Sequence, residues 1–196
     1  MTARTFEADD LALVGRKGAG VRGSDEQLLG YDVTVIAADV EGVVGAAGGW
    51  LCDRVRAGWQ VTVLVPPGCD TRALMILGVR SGEWEPGGDT LRLARPAALA
   101  VDARVLRHDD ALRRELLRTV DGGGVEVTVW GESGLFAADR RFGRVRHRLS
   151  AAARAYKKQA LSCCATACDQ AVEEFVSSAL WYPPDGTDLA PIPARQ

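Results

Sequence analysis

The sequence has no uninterrupted apolar stretch approaching the roughly 20 residues that a membrane-spanning helix requires. Its N-terminus, MTARTFEADD, lacks the basic-then-apolar order of a signal peptide. An excess of either charge is missing too: 24 Lys and Arg against 26 Asp and Glu leave a formal net charge of -2. Nothing overall draws such a chain to nucleic acid or to an anionic membrane, and a polyanion would need a local patch. No internal repeat is visible, so a solenoid or array is excluded. The five cysteines are an odd number that disulfides alone cannot satisfy, which favours reduced thiols. The expectation is a cytoplasmic protein with no nucleic-acid and no membrane partner.

What remains is a chain of 196 residues, 47% hydrophobic, enough for one domain with a substantial core. Residues 1–30 are polar and glycine-rich and read as a lead-in with a short helix, for which Ser24 and Gln27 form a capping box. Its Gly15 to Gly23 spacing precedes the first strand instead of following one, so it is not a dinucleotide fingerprint. From Tyr31 the pattern becomes regular. YDVTVIAAD is β-branched and apolar, VVGAAGGWLCDRVRAG has helical spacing ended by Gly58, and WQVTVLVPPG is again strand-like. That is a βαβ unit with parallel, buried strands.

Further on, DTRALMILGVR predicts a second crossover helix, and strand character returns near Leu91 to Leu93 before Pro96 interrupts it. HDDALRRELLRTVDGGG predicts an amphipathic helix with Asp109 and Asp110 at its positive end and Gly122 to Gly124 closing it. VEVTVWGE alternates like a strand. A charged loop and helix are expected through ADRRFGRVRHRLSAAARAYKKQALSC, with helical character continuing through CCATACDQAVEEFVSSAL. The cysteines of CCATAC then read as small buried residues, although Cys164 and Cys168 one turn apart offer two thiolates to a soft metal. The fold class is α/β, a three-layer Rossmann-like sandwich around a mostly parallel sheet of four or five strands. It occupies residues 31–182, with a proline-rich tail over 183–196.

The chemistry-bearing corner is AADVEGVVGAAGGWL, where the first strand turns into the first helix and where open α/β sheets bind ligands. Asp39 and Glu41 stand there as a candidate acid and base. The competing reading makes them caps of a helix beginning near Val43.

The run VTVIAADVEGVVGAAGGWLCDRVRAGWQVTVLVPPG resembles the opening of the PIG-L/LmbE-like N-deacetylases, in which an apolar strand ends in His-Pro-Asp-Asp-Glu. VTVWGE and the Lys-bearing RVRHRLSAAARAYKKQALSC resemble a late strand and C-terminal helix of bacterial members acting on sugar conjugates. The resemblance implies a divalent metal, usually zinc, held by the motif's histidine and second aspartate, with the first aspartate activating water. Aligned without gaps, Asp39 stands at the histidine, Glu41 at the first aspartate and Gly42 at the second. One ligand and one base survive. A later loop histidine completes the family's set, and the two histidines here, His108 and His147, lie outside such a motif. His147 sits in sequence among Arg144, Arg146 and Arg148, which disfavours its cationic form and discourages metal binding.

The expectation is therefore a divergent PIG-L/LmbE-like protein with no cofactor, a non-catalytic binding or partner protein in glycoconjugate metabolism. Its ligand is a small molecule or sugar conjugate, or its partner a protein. The alternatives are an active metal-dependent amide hydrolase that keeps zinc at Asp39 and uses Glu41 and His108, and a nucleotide- or nucleotide-sugar-binding module. For ligand binding the candidates are Arg140, Arg141 and Arg144 of the basic stretch DRRFGRVRHR, His108, and Trp84, which is expected at a loop tip where it can stack on a sugar. A G-x-S-x-G elbow is absent, since GESG has its serine displaced.

Overall fold

The βαβ unit read from the sequence forms. In the computed structural model, which describes residues 31–86, 96–131, 134, 136, 138–164, 166, 170–178 and 189–193, β1 (Asp32–Ile36) and β2 (Gln60–Val65) lie parallel with Val33 opposite Val61 and Val35 opposite Val63. The crossover between them is α1 (Val40–Arg56). There follow α2 (Arg72–Ile76), β3 (Arg80–Glu83), β4 (Ala98–Asp102), α3 (Ala103–His108), α4 (Asp110–Gly122), β5 (Glu126–Trp130), β6 (Gly143–Arg148), α5 (Ala151–Cys163), β7 (Val172–Ser177) and β8 (Ala190–Pro191). They build an eight-stranded sheet in the order β3-β2-β1-β4-β5-β7-β6-β8. The first five strands are parallel neighbours, and β7, β6 and β8 add an antiparallel half.

Two apolar clusters make the three layers. Val33, Val35, Val61, Val63 and Ala100 meet Trp50, Leu51, Leu74 and Leu161 of α1, α2 and α5. On the other face Ile36, Leu99, Val101, Val127 and Val129 meet Leu106 of α3 and Leu112 and Leu116 of α4. Leu112 and Leu116 are four residues apart and so share one helix face. Asp109 caps α4 by accepting from the Leu112 amide, and Gly123 ends it at φ 67°, where a side chain would be strained.

Inside α1 two side chains enter the helical ladder. The Gly45 carbonyl and Gly49 amide are the partners an uninterrupted helix would join. Here Lys157 Nζ donates to Gly45 O at 2.6 Å, while Glu173 accepts from the amides of Gly49 at 2.9 Å and Trp50 at 2.8 Å. Lys157 and Glu173 close on each other at 2.7 Å, with 2% and 0% of their side chains exposed. Burial pushes the Glu173 carboxyl up, against the pull of the Lys157 ammonium and the two amides. Gly49 is glycine for a steric reason, since a Cβ there would overlap Leu149. Farther along α1, buried Arg54 pairs with Glu126 of β5 at 3.0 Å and lies against the rings of Trp50 and Trp59.

Several sequence expectations change. Among the described residues the sheet has eight strands, not four or five. DRRFGRVRHR is not loop and helix, because β6 runs through Gly143–Arg148 with its residues alternating between core and solvent. The helical run ends at Cys163, and VEEFVS forms β7, so Cys164 lies beyond the helix. His147 does not share its face with the neighbouring arginines. It is buried, with Nε2 2.9 Å from Asp53 Oδ2, and Asp53 also accepts from the Ser150 hydroxyl and amide. The lead-in over 1–30, Leu91 to Leu93, Cys168 and Trp181 lie outside the described residues. Among the described residues, no helix is long and apolar enough to cross a membrane.

Replacing Lys157 with Met leaves a buried carboxylate unpaired and should cost about 3–5 kcal/mol, read as a lowered urea midpoint. Gly49→Ala should cost about 1–3 kcal/mol by overpacking against Leu149. Burial opposes the Asp53 charge, but the Ser150 hydroxyl and amide and then His147 outweigh it, and the carboxyl is held below its ordinary value. Its stabilisation is then full above the unfolded value of about 3.9 and is lost as pH falls through the folded value. Denaturation of Asp53→Asn should show a deficit at neutral pH that disappears in acid.

Candidate functional site at the carboxyl end of the sheet

Strands β1 and β4 are parallel neighbours, and an apolar run followed by aspartate and a helix occurs at the carboxyl end of each. Each aspartate caps its own helix: Asp39 Oδ1 accepts from the Gly42 amide at 2.6 Å and Asp102 Oδ1 from the Arg104 amide at 2.9 Å. Helix α1 therefore begins at Val40, not near Val43, and the capping reading of Asp39 holds. Glu41 occupies the first turn, where a carboxylate suits the helix dipole.

Arg104 joins the two caps. Its Nε lies 3.2 and 3.1 Å from the Asp102 oxygens, Nη2 lies 2.7 Å from Asp102 Oδ2, and Nη1 lies 2.7 Å from Asp39 Oδ2. The Asp102 side chain is 1% exposed, whereas Arg104 and Asp39 are 46% and 44% exposed. The guanidinium thus grips a buried carboxylate in fork geometry and bridges to the open corner. Hydrogen bonding by Asp102, and then by Asp39, drives Arg104 further into its charged form against the opposition of burial.

The surroundings come from distant segments. Thr166, beyond the end of α5, donates its hydroxyl to Glu41 Oε1 at 2.5 Å. Burial, and then Glu41, pushes the Cys164 thiol up, so it is not an activated nucleophile. Trp84 is buried, and its indole donates to the Ala37 carbonyl at 3.0 Å. It braces the corner from below and is not at a loop tip. The indole N–H of Trp130, which pairs in register with Asp102, is buried and has no acceptor among the described residues.

The other ligand-binding candidates do not converge. His108 is the exposed last residue of α3. Arg140 is exposed, Arg141 is held by Asp139 and Asp121 at 2.6 Å each, and Arg144 is held by Glu174 at 3.0 Å. Asp102, Arg104 and Thr166 are the residues that sequence reasoning missed. LAVDAR repeats the strand-Asp-helix pattern of VIAAD, which is the signal that marks Asp102.

A zinc ion does not fit the described residues. The resemblance assigns one ligand to Asp39 and another to Gly42, and a Cβ at Gly42 would overlap Nη2 of Arg104. Glycine there leaves room for the guanidinium. Both Asp39 oxygens are already engaged, and a metal on them would face a fixed positive charge. Among the described residues, no three His, Cys, Asp or Glu side chains form a metal-binding group, whereas zinc sites use about three protein ligands.

Arg104→Ala leaves the Asp102 carboxylate buried without its cation and should cost about 1–3 kcal/mol, measured by denaturant unfolding. Arg104→Lys should recover less than half of that loss, because an ammonium cannot reproduce the fork.

No family model and no curated protein matches the chain. Solved structures do. The chain is similar to a deacetylase triple mutant involved in the teicoplanin biosynthetic pathway, with TM-score 0.50 and 15% identity over 67% of this chain and 80% of that one. It is similar to a deacetylase in complex with teicoplanin, with TM-score 0.51 and 13% identity over 74% and 96% of the two chains. It is also similar to GalB, the 4-carboxy-2-hydroxymuconate hydratase from Pseudomonas putida, with TM-score 0.51 and 13% identity over 84% and 97%. Identities this low speak for architecture and not for activity. The chain has the α/β fold shared by these deacetylases and this hydratase, and the resemblance to PIG-L/LmbE-like deacetylases holds at the level of that fold.

Proposed function

We propose that the protein is a divergent, non-catalytic representative of the PIG-L/LmbE-like deacetylase fold, a binding or partner protein whose cation is an arginine of its own chain. The observation that carries this reading is the Arg104 guanidinium bridging Asp39 and Asp102, in space that a side chain at Gly42 would claim. Metal-assisted deacetylation needs a cation with open positions for water and the acyl oxygen. Arg104 supplies positive charge but no such positions, and it cannot lower the pKa of a bound water by coordination. The corner remains partly open, since Asp39 and Arg104 keep nearly half of their side-chain surface. The fold's link to a deacetylase–teicoplanin complex supports a small molecule or sugar conjugate as its ligand.

The alternative readings have less behind them. A rearranged hydrolase would rest on Asp39 and Glu41, with His108 as an optional third group, and His108 ends α3 on the surface. A nucleotide-sugar module needs the arginine stretch to converge on a diphosphate, and Arg141 and Arg144 are engaged with acidic side chains.

Elemental analysis of the purified chain, followed by calorimetric titration with zinc, tests the proposal. Far less than one zinc per chain, the same weak titration for Asp39→Ala, and no acetate release from N-acetylated sugar conjugates are expected. About one tightly held zinc per chain that is lost in Asp39→Ala, or turnover abolished by Glu41→Gln with the fold intact, would overturn it.

A further inference from the structure

We propose that the solvent face of β6 is a docking surface for an acidic polypeptide segment. This rests on the antiparallel half of the sheet and is independent of the corner at Asp39. Alternate residues of a strand point the same way. In β6, Val145 and His147 point into the core, and Arg144, Arg146 and Arg148 point out. They form one row of cations about 6.5–7 Å apart.

The neighbouring strands do not neutralise that row. Opposite Arg144, Arg146 and Arg148 stand Val176, Glu174 and Val172 of β7, and Ala190 of β8 pairs with Arg146. Glu174 is the one acid in those positions, and it pairs with Arg144 at 3.0 Å. Arg146 and Arg148 have no ion-pair partner among the described residues. Helices α3 and α4 pack under β4 and β5, leaving these arginines exposed together with Val172, which is 37% exposed.

Charge complementarity specifies an anionic occupant, and the remaining features select a polypeptide. An extended peptide carries its same-side side chains at the repeat of the arginine row, so carboxylates at alternate residues meet guanidinium forks. Val172, opposite Arg148, supplies an apolar contact beside the end of the row. A nucleic acid is disfavoured because the chain's net charge is -2 and, among the described residues, the exposed aromatics Tyr31 and Tyr156 lie at the start of β1 and on α5, away from this face.

The test is fluorescence anisotropy of a labelled synthetic peptide alternating Glu and Thr, titrated with the full chain at low and at physiological ionic strength. The expected result is salt-sensitive binding that weakens at least about tenfold in the R146E/R148E double variant. R154E/K158E, on the exposed face of α5, should bind like the native chain, and all variants should keep native thermal unfolding because the altered side chains are exposed. Absence of peptide binding, equal binding by R146E/R148E, or tighter binding of a single-stranded oligonucleotide than of the peptide would overturn the proposal.

Discussion

The Lys157–Glu173 pair, set into the ladder of α1, is the interaction on which the rest of the structure depends. It hydrogen-bonds the Gly45 carbonyl and the Gly49 and Trp50 amides of α1 from side chains on α5 and β7, and thereby joins three segments far apart in sequence. The pair is tolerated in the core because every charge is answered: two amides and an ammonium on the carboxylate, a carbonyl and a carboxylate on the ammonium. Gly49 is the steric condition for this close approach. At the start of α1, its cap Asp39 meets Arg104 of α3, and the segment after α5 reaches Glu41 through Thr166.

The same fold then places two aspartates side by side at the carboxyl end of the sheet, where α/β proteins collect their ligands. Such a pair needs a cation. In this chain the cation is covalently attached: Arg104 follows Asp102 by two residues and spans to Asp39, and Gly42 leaves it room. A single guanidinium hydrogen-bonds both carboxylates and offsets part of their charge. That separates the scaffold, which matches known deacetylases and a hydratase in outline, from the metal chemistry that the sequence resemblance implies.

How much of this was legible depended on how local each feature is. The paired VTV runs, the α1 crossover and α4 with its Asp109 cap and Gly123 stop rest on period and capping, and they are readable within a short window. β7 was hidden because α5 has strong helical spacing and VEEFVS follows it too closely for composition to mark the change. β6 was hidden because its outward residues are all arginine, so its alternation of core and solvent positions looks like a charged loop. The strand-to-helix pattern locates Asp39 and Glu41 between β1 and the first turn of α1. It does not locate Arg104, because that residue's role depends on β4 lying beside β1, and the Arg104–Asp39 contact spans 65 residues of sequence. Trp84 was misjudged for the same reason, since its acceptor, Ala37, belongs to a distant segment.

The Arg104 guanidinium bridges Asp39 and Asp102, and in the proposed function it stands in for the metal ion that the sequence resemblance implies. A crystal structure of the full chain grown with excess zinc tests that role most directly. The guanidinium should lie between Asp39 and Asp102, with no anomalous zinc signal at either carboxylate. A zinc ion on Asp39 and Asp102, with Arg104 turned out into solvent, would contradict that role.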